Sequence, residues 1–449
     1  MRTFFITIII FFACCLGALA QEEKRGGLSI QKIVSPKGLE AWFIEDHSAP
    51  LISVHFAFSA GSINDPIGKE GLANFLSMML TEGAGERDSQ AFSAALNDFG
   101  IRMRFSVDRD YFVGSIVTLP DNQDKAAELL SDALLKPRFD ISAFERVMGQ
   151  LRTKLDIDAK DPQWIAIRNL RDLLYPEHPY ARRQRGTSES LARVDVKDLI
   201  GFANKYFAKD NLVIGVAGAA DANTAGLYID GLFASLPETS ENQEYKAARF
   251  ANAGVIKSID WPTPQTMIMA ALPGVERNNP DYLALYLANH IFGGGSFTSR
   301  LWTELREKRG LTYGAYATLS TAQYAPLIQM GFSTQNENAH QALELLKSQM
   351  QLFRSEGVSQ AELQNAKDYV IGNYALHLTS IRAVSRYLRG LQLANLPSNY
   401  SDTRAEQIRA IDKAQIDAVI KRYYDPEKLR VVAVGQPTGE LFEESMQVK

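Results

Sequence analysis

Residues 205–218 read KYFAKDNLVIGVAG, and residues 422–435 read RYYDPEKLRVVAVG. The two stretches align without a gap at an offset of 217, from Lys205 to Arg422. The same offset pairs Leu191 with Ile408, Val194 with Ile411, Asp195 with Asp412 and Leu199 with Ile416. In each copy an aromatic pair closes an amphipathic segment, and an apolar run ending in glycine follows. That is the pattern of a helix leading into a buried strand. Two helix–strand units can look alike through shared physics alone, but here charged, aromatic and glycine positions agree together. A period this long marks a duplicated domain, because solenoid repeats run about 20–50 residues.

Outward from the first copy, residues 28–34, 39–46 and 51–59 read as strands. In the third, Ile52, Val54, Phe56 and Phe58 alternate with smaller or polar residues. A helix is expected over 69–81, and Ser89 can cap another that runs to Phe99. Residues 102–108 and 110–119 read as a hairpin. Helices then dominate to Phe207, with breaks near Pro137, Pro162 and Pro176 to Pro179. Residues 238–254 are polar and aperiodic and read as a linker. After them the order of elements recurs. The fold class is therefore α+β, with two homologous domains in tandem over 21–237 and 255–449. Each is expected to be an antiparallel sheet with helices packed on it. Two such lobes imply a cleft, either between themselves or against a partner.

The 449 residues carry 46% hydrophobic and 22% charged side chains, a globular profile. No basic block or stripe points to nucleic acid. Residues 1–20 read as a signal peptide: Arg2, the apolar core FFITIIIFFA, and Ala18-Leu19-Ala20 before Gln21. An uncleaved anchor is the alternative, although the run is short for a membrane span. Cleavage would remove Arg2 and both cysteines, Cys14 and Cys15, leaving 47 basic against 52 acidic residues, net −5. A chain without cysteine has no disulfide, thiolate metal site or cysteine nucleophile. Export of such a chain implies a bacterial envelope compartment, the periplasm, with no membrane span after cleavage.

Of the six histidines, His47, His55, His178, His290, His340 and His377, no two lie three or four residues apart. No helical turn therefore presents a two-histidine metal face. No nucleophile elbow and no phosphate-binding lysine loop occurs. Gly293-Gly294-Gly295 reads as a turn between helices that other segments approach closely. Arg182 and Arg183 read as solvated loop charge or as facing an acidic peptide end. The region 359–396 reads as core.

Four motifs occur in order: GLEAWFIEDHSAPLISVHFAFSAGS, GKEGLANFLSMML, HPYARRQRGT and GGGSFTSRLWTELREKRGLTY. Together they resemble the pitrilysin/insulinase family of zinc metallopeptidases, in its bacterial branch of processing-peptidase-like subunits. The resemblance spans the whole chain after the leader and implies paired α+β domains forming half of a clam-shell chamber. In active members a first-domain His-x-x-Glu-His helix holds zinc and a general base, and a later glutamate is the third ligand. Here those positions are Asn74, Ser77, Met78 and Lys154. An amide, a hydroxyl, a thioether and an ammonium are the wrong groups for zinc, and the last is electrostatically opposed to it. The resemblance therefore implies no metal and no autonomous catalytic residue in this chain.

Active family sites also use an arginine and a tyrosine from the opposite domain, spaced R-x6-Y, to bind substrate backbone and stabilise the oxyanion. Arg306 and Tyr313 match that spacing. Arg309 competes for the guanidinium role, and cations at a helix end before Gly310 also have a purely structural reading. What the resemblance implies is a substrate-binding, non-catalytic subunit of a heterodimer. Its homologous partner would carry the zinc and cleave peptides. The competing reading is a peptide-binding or assembly scaffold of the same fold.

Overall fold

The computed structural model describes residues 28–443; the leader read at 1–20 lies outside them. The first sheet contains β1 (Gln31–Val34), β2 (Glu40–Glu45), β3 (Ile52–Phe58), β4 (Arg102–Val107), β5 (Phe112–Thr118) and β6 (Leu212–Gly218). Its order is β1-β2-β6-β3-β5-β4. The second contains β7 (Ile256–Asp260), β8 (Gln265–Pro273), β9 (Ala315–Ser320), β10 (Leu327–Gln335) and β11 (Arg430–Gly435), in the order β9-β10-β8-β11-β7. The two orders correspond strand for strand, β1 being the addition in the first. The expected antiparallel sheets are each broken once, at the same place: β2 runs parallel to β6 and β7 parallel to β11.

The repeat that decided the reading sits at corresponding points of both sheets. Asp195 caps α6 (Val196–Tyr206) and Asp412 caps α13 (Lys413–Tyr423), each in a capping box that satisfies end N–H groups. Phe207 then stacks on Phe58 at 4.7 Å, and Tyr424 packs on Phe292 and Phe353, both at 5.1 Å. The strands that follow end at Gly218 and Gly435, with φ of 143° and 155°. A Cβ at Gly218 would lie 2.2 Å from the Leu51 carbonyl oxygen, and one at Gly435 2.7 Å from Thr266 Cα. Glycine is required twice for the same reason.

On one face of the first sheet lie α1 (Leu72–Met79), α2 (Ser89–Asp98), α3 (Gln123–Leu135), α4 (Ile141–Asp158), α6 and α7 (Ala222–Phe233). Gly71, at φ +94°, starts α1 later than the expected residue 69, and Asp88 rather than Ser89 caps α2. The second sheet is backed by α8 (Tyr282–Asn289), α9 (Ala339–Glu356), α10 (Gln360–Gly372), α12 (Tyr400–Ala410) and α13.

Two long helices are exchanged. α5 (Pro162–Leu174) belongs to the first half but packs Ile165, Leu170 and Leu173 on Met267, Met269 and Val432 of the second sheet. α11 (Ile381–Leu393), from the second half, packs Ile381, Val384 and Leu388 on Ile44 and Ala217 of the first. The strands were built for this. On β8, Ile268, Ala270 and Leu272 face their own helices, while Met267, Met269 and Ala271 face α5. On β3, Val54, Phe56 and Phe58 face their own core, while Ser53 and His55 turn the other way and bond Ser385 of α11, both at 2.8 Å. His55 pairs across the sheet with Gly215. A Cβ on Gly215 would lie 2.4 Å from the Ser385 carbonyl oxygen, so the helix approaches as close as glycine permits.

The stretch read as a linker is a strap held to both halves. Ala251 donates to the Leu174 carbonyl at 2.8 Å, Arg430 to the Ala251 carbonyl at 2.7 Å, and Tyr245 to that of Ile63 at 3.1 Å. Among the described residues no helix is long and apolar enough to cross a membrane.

Candidate functional site

Helix α1 is held at its start by Asp65, whose buried carboxylate accepts from the Gly71 and Ala73 N–H groups at 2.7 and 2.8 Å. Burial pushes this carboxyl up to about 7, against the pull of those two bonds. Leu72, Ala73, Phe75, Leu76 and Met79 face the core, and Phe75 meets Phe144 of α4 edge-on at 4.9 Å. One turn of α1 thus brings Asn74, Ser77 and Met78 together. Ser77 is 6% exposed and its hydroxyl donates to the Asn74 carbonyl at 2.7 Å. Met78 packs against the first core.

Beside Ser77 and Met78 the wall of α4 is Val147 and Gln150. Lys154 lies one turn further on, exposed, with its ammonium 2.9 Å from Asp158. Asp158 also accepts from Arg185 at 2.6 Å. These groups do not fit zinc. The one hydroxyl is spent on the helix's own backbone, the thioether is packed, the facing wall offers the Gln150 amide, and Lys154, which the resemblance aligns with the third ligand, is a cation in an ion pair. Among the described residues no three His, Cys, Asp or Glu side chains gather to hold a metal. Gln150 is the residue the sequence reading missed; its place four before Lys154, on the same helical face, was the available clue.

The second stretch is built differently. After α8 the chain makes a π-helical turn at His290–Gly294, a short 3₁₀ turn at Ser296–Thr298 and a second π-helical segment at Trp302–Glu307. An ordinary α-helix was expected there, and π turns leave no mark in the apolar spacing. Gly293 confirms the close approach: a Cβ there would sit 2.7 Å from Ala317 Cβ. Gly310, at φ +63°, ends the segment.

Arg306 and Tyr313 meet across that end. The Arg306 guanidinium donates to the Tyr313 carbonyl and lies 4.6 Å over the Trp302 ring and 6.0 Å from the Tyr313 ring. Trp302 in turn meets Phe297 edge-on at 4.5 Å. Tyr313 is 80% exposed and Phe297 70%. The competing Arg309 is engaged elsewhere, 2.5 Å from Glu304, which also holds Lys308 at 2.6 Å. Those two cations hold the Glu304 carboxyl below its usual range. Arg306 has no carboxylate partner among the described residues, which leaves its remaining donors available. Trp302 and Phe297, one helical turn and nine residues before Arg306, complete a ladder that spacing alone did not single out.

Two like sheets with exchanged helices, a metal position whose side chains do not fit zinc, and one exposed arginine–tyrosine pair place the chain in the class of duplicated metallopeptidase-like folds. Residues 42–188 match the pattern described as "Insulinase (Peptidase family M16)", and residues 193–370 match "Peptidase M16 inactive domain". The chain belongs to peptidase family M16, the insulinase family. It is 23% identical over 438 residues to the "Non-peptidase homolog YmxG" of Helicobacter pylori, covering 97% of this chain and 98% of that one. It is 24% identical to the mitochondrial-processing peptidase subunit beta of Saccharomyces cerevisiae, over 88% and 87% of the two chains. The crystal structure of a peptidase M16 inactive domain from Pseudomonas fluorescens superposes with a TM-score of 0.86 at 28% identity, covering 92% and 99%.

Proposed function

We propose that this chain is the substrate-binding, non-catalytic subunit of a heterodimeric metallopeptidase that degrades peptides in the periplasm. The homologous partner supplies zinc and the general base. This chain supplies Arg306 and Tyr313, which bind the peptide backbone and place donors at the developing oxyanion. The observation that carries the reading is the asymmetry of the two stretches. The metal position in the first half is filled with the wrong chemistry, yet the second half keeps an exposed tyrosine and an arginine that pairs with no carboxylate among the described residues. The localisation rests on the leader read at residues 1–20.

The second reading, an assembly or peptide-holding scaffold without hydrolysis, is favoured by the Helicobacter pylori relative's name. Co-purification with a homologue that carries His-x-x-Glu-His decides between them. The pair should cleave unfolded peptides faster than either chain alone. Tyr313→Phe should lower turnover by about 10²-fold, the loss of one oxyanion donor, with assembly unchanged. Full activity of the partner alone, or unchanged turnover in Tyr313→Phe, favours the scaffold. Zinc-dependent cleavage by this chain alone overturns both.

A further inference from the structure

A second site is visible beyond Lys154. A cavity of about 350 Å³ lies between the end of α4, the first half of α5 and the loop 181–189. Its wall holds six arginines against three carboxylates, Asp156, Asp158 and Glu189. The arginines are not equivalent. Arg183 forms a fork–fork pair with Asp172 at 2.8 Å, and Arg185 pairs with Asp158 and stacks 4.4 Å over Trp164. Arg182 is not the solvated charge that the loop suggested: it donates to the carbonyls of Asp65 and Ile63, both at 2.7 Å. Arg109, from the β4–β5 turn, donates to the Tyr180 carbonyl at 2.6 Å. The guanidiniums of Arg168 and Arg171, three residues apart on α5, have no hydrogen bond or ion pair among the described residues.

Among the described residues four guanidiniums, those of Arg109, Arg168, Arg171 and Arg182, therefore bond no carboxylate, although Asp110, Asp172 and Asp65 lie near enough for their charge to be felt. Arg109 is brought down to about 10, by burial first and then by the charge of Arg171, and burial also lowers Arg171. Asp110 and Asp172 offset part of this charge from a distance, but neither bonds Arg109 or Arg171, and grouping partly buried cations with no bonded counter-ion is costly unless an anion completes the set. Guanidinium forks match carboxylates and phosphates in particular. Two features select between those anions. The wall also offers the apolar faces of Leu155, Trp164 and Ile167, which an inorganic ion does not use. Arg109, Arg171 and Gln184 are shared with a second cavity of about 700 Å³ between the halves, which has room for an extended chain leading in.

We propose that this cavity binds the terminal carboxylate of a peptide, with Arg109 and Arg171 holding the carboxylate and Trp164 beside the last side chain. The proposal builds on the reading of the chain as peptide-binding but is tested apart from it. The full chain, without partner, is titrated by calorimetry with a hexapeptide ending in leucine, its C-terminal amide, and inorganic phosphate. The acid should bind about tenfold tighter than the amide, the difference of one charge-assisted pair. Arg171→Gln should abolish the difference with an unchanged melting temperature; Arg109→Gln serves if that variant fails to fold. Equal affinity for acid and amide, binding of neither, or tighter binding of phosphate than of the acid overturns the proposal. Acid preference without cleavage in the complex would defeat the subunit reading and leave this site standing. Cleavage without acid preference would do the reverse.

Discussion

The chain builds one architecture twice and then treats a stretch of each half in opposite ways. In the first half, the turn carrying Asn74, Ser77 and Met78 has been absorbed into ordinary helix packing: a hydroxyl on its own backbone and a thioether on the core. In the second half, Arg306 and Tyr313 sit on a π-helical segment, with aromatic rings left in solvent. The first arrangement contributes to stability and needs no further explanation. The second carries irregular backbone and exposed aromatic surface that folding does not require. Trp, Tyr and Arg are also the residues that dominate binding surfaces. The contrast is what the proposed peptide contact at Arg306 and Tyr313 rests on.

The likeness of the two cores is the easier side to break, and with the largest effect. Phe207 and Tyr424 occupy equivalent places, each between two further rings. Phe207→Ala and Tyr424→Ala should each cost about 3–5 kcal/mol in denaturant unfolding, the range for deleting a buried ring. Tyr424→Phe should cost only about 1 kcal/mol, since it removes one bond, to Asn289 at 3.3 Å. A large loss from one alanine variant and none from the other would mean that the halves do not share a packing plan.

That plan was legible because its signals are local. Asp195 and Asp412, the aromatic pairs and the glycines at 218 and 435 stand in the letters and do the same work in both sheets. The parallel pairs β2·β6 and β7·β11 were not legible, because they join strands far apart in sequence. Nor was the exchange of α5 and α11. An apolar helix face announces that it will be buried, not which sheet will cover it. The small and polar face of β3 was the nearest hint: Ser53, His55 and the neighbouring Gly215 leave space that only an approaching helix explains. At the sites, R-x6-Y spacing was readable, whereas the arginine cavity was not. Arg109, Arg171 and Arg182 come from three separated segments, and only the fold brings them to one wall.

The contrast between the two stretches sharpens further if the metal position is rebuilt. Asn74→His, Ser77→Glu and Met78→His together restore two imidazoles and a carboxylate on one turn of α1. Lys154 still opposes a dication. One turn beyond Gln150, at about 10 Å and an effective dielectric near 20, one unit charge against a dication is worth about 3 kcal/mol, over a hundredfold in affinity. The triple variant should therefore hold zinc poorly by equilibrium dialysis, and adding Lys154→Glu should raise affinity by at least that factor. Equal binding with and without the fourth change would show that Lys154, drawn away by Asp158 at 2.9 Å, is not electrostatically felt at α1.

The smallest effect tests the seam where the halves exchange helices. His55 of β3 bonds the Ser385 hydroxyl of α11 at 2.8 Å. Burial, then the charges of Arg389, Arg386 and Arg382, bring it down to about 3 from an ordinary value of 6.5. A depressed folded value means that the folded chain holds the ring neutral, while the unfolded chain binds a proton below pH 6.5. The stability this contributes is full above that pH and is lost as pH falls towards 3. Between pH 7.5 and pH 5 the loss should be about 2 kcal/mol. His55→Asn keeps an acceptor towards Ser385 and removes the titration. Its unfolding free energy, measured by denaturant at a series of pH values, should therefore fall less steeply through this window than that of the parent. Parallel curves would place the acid sensitivity elsewhere, with Asp65 excluded by sign: a carboxyl raised to about 7 gains its proton on folding and favours the folded chain as pH falls.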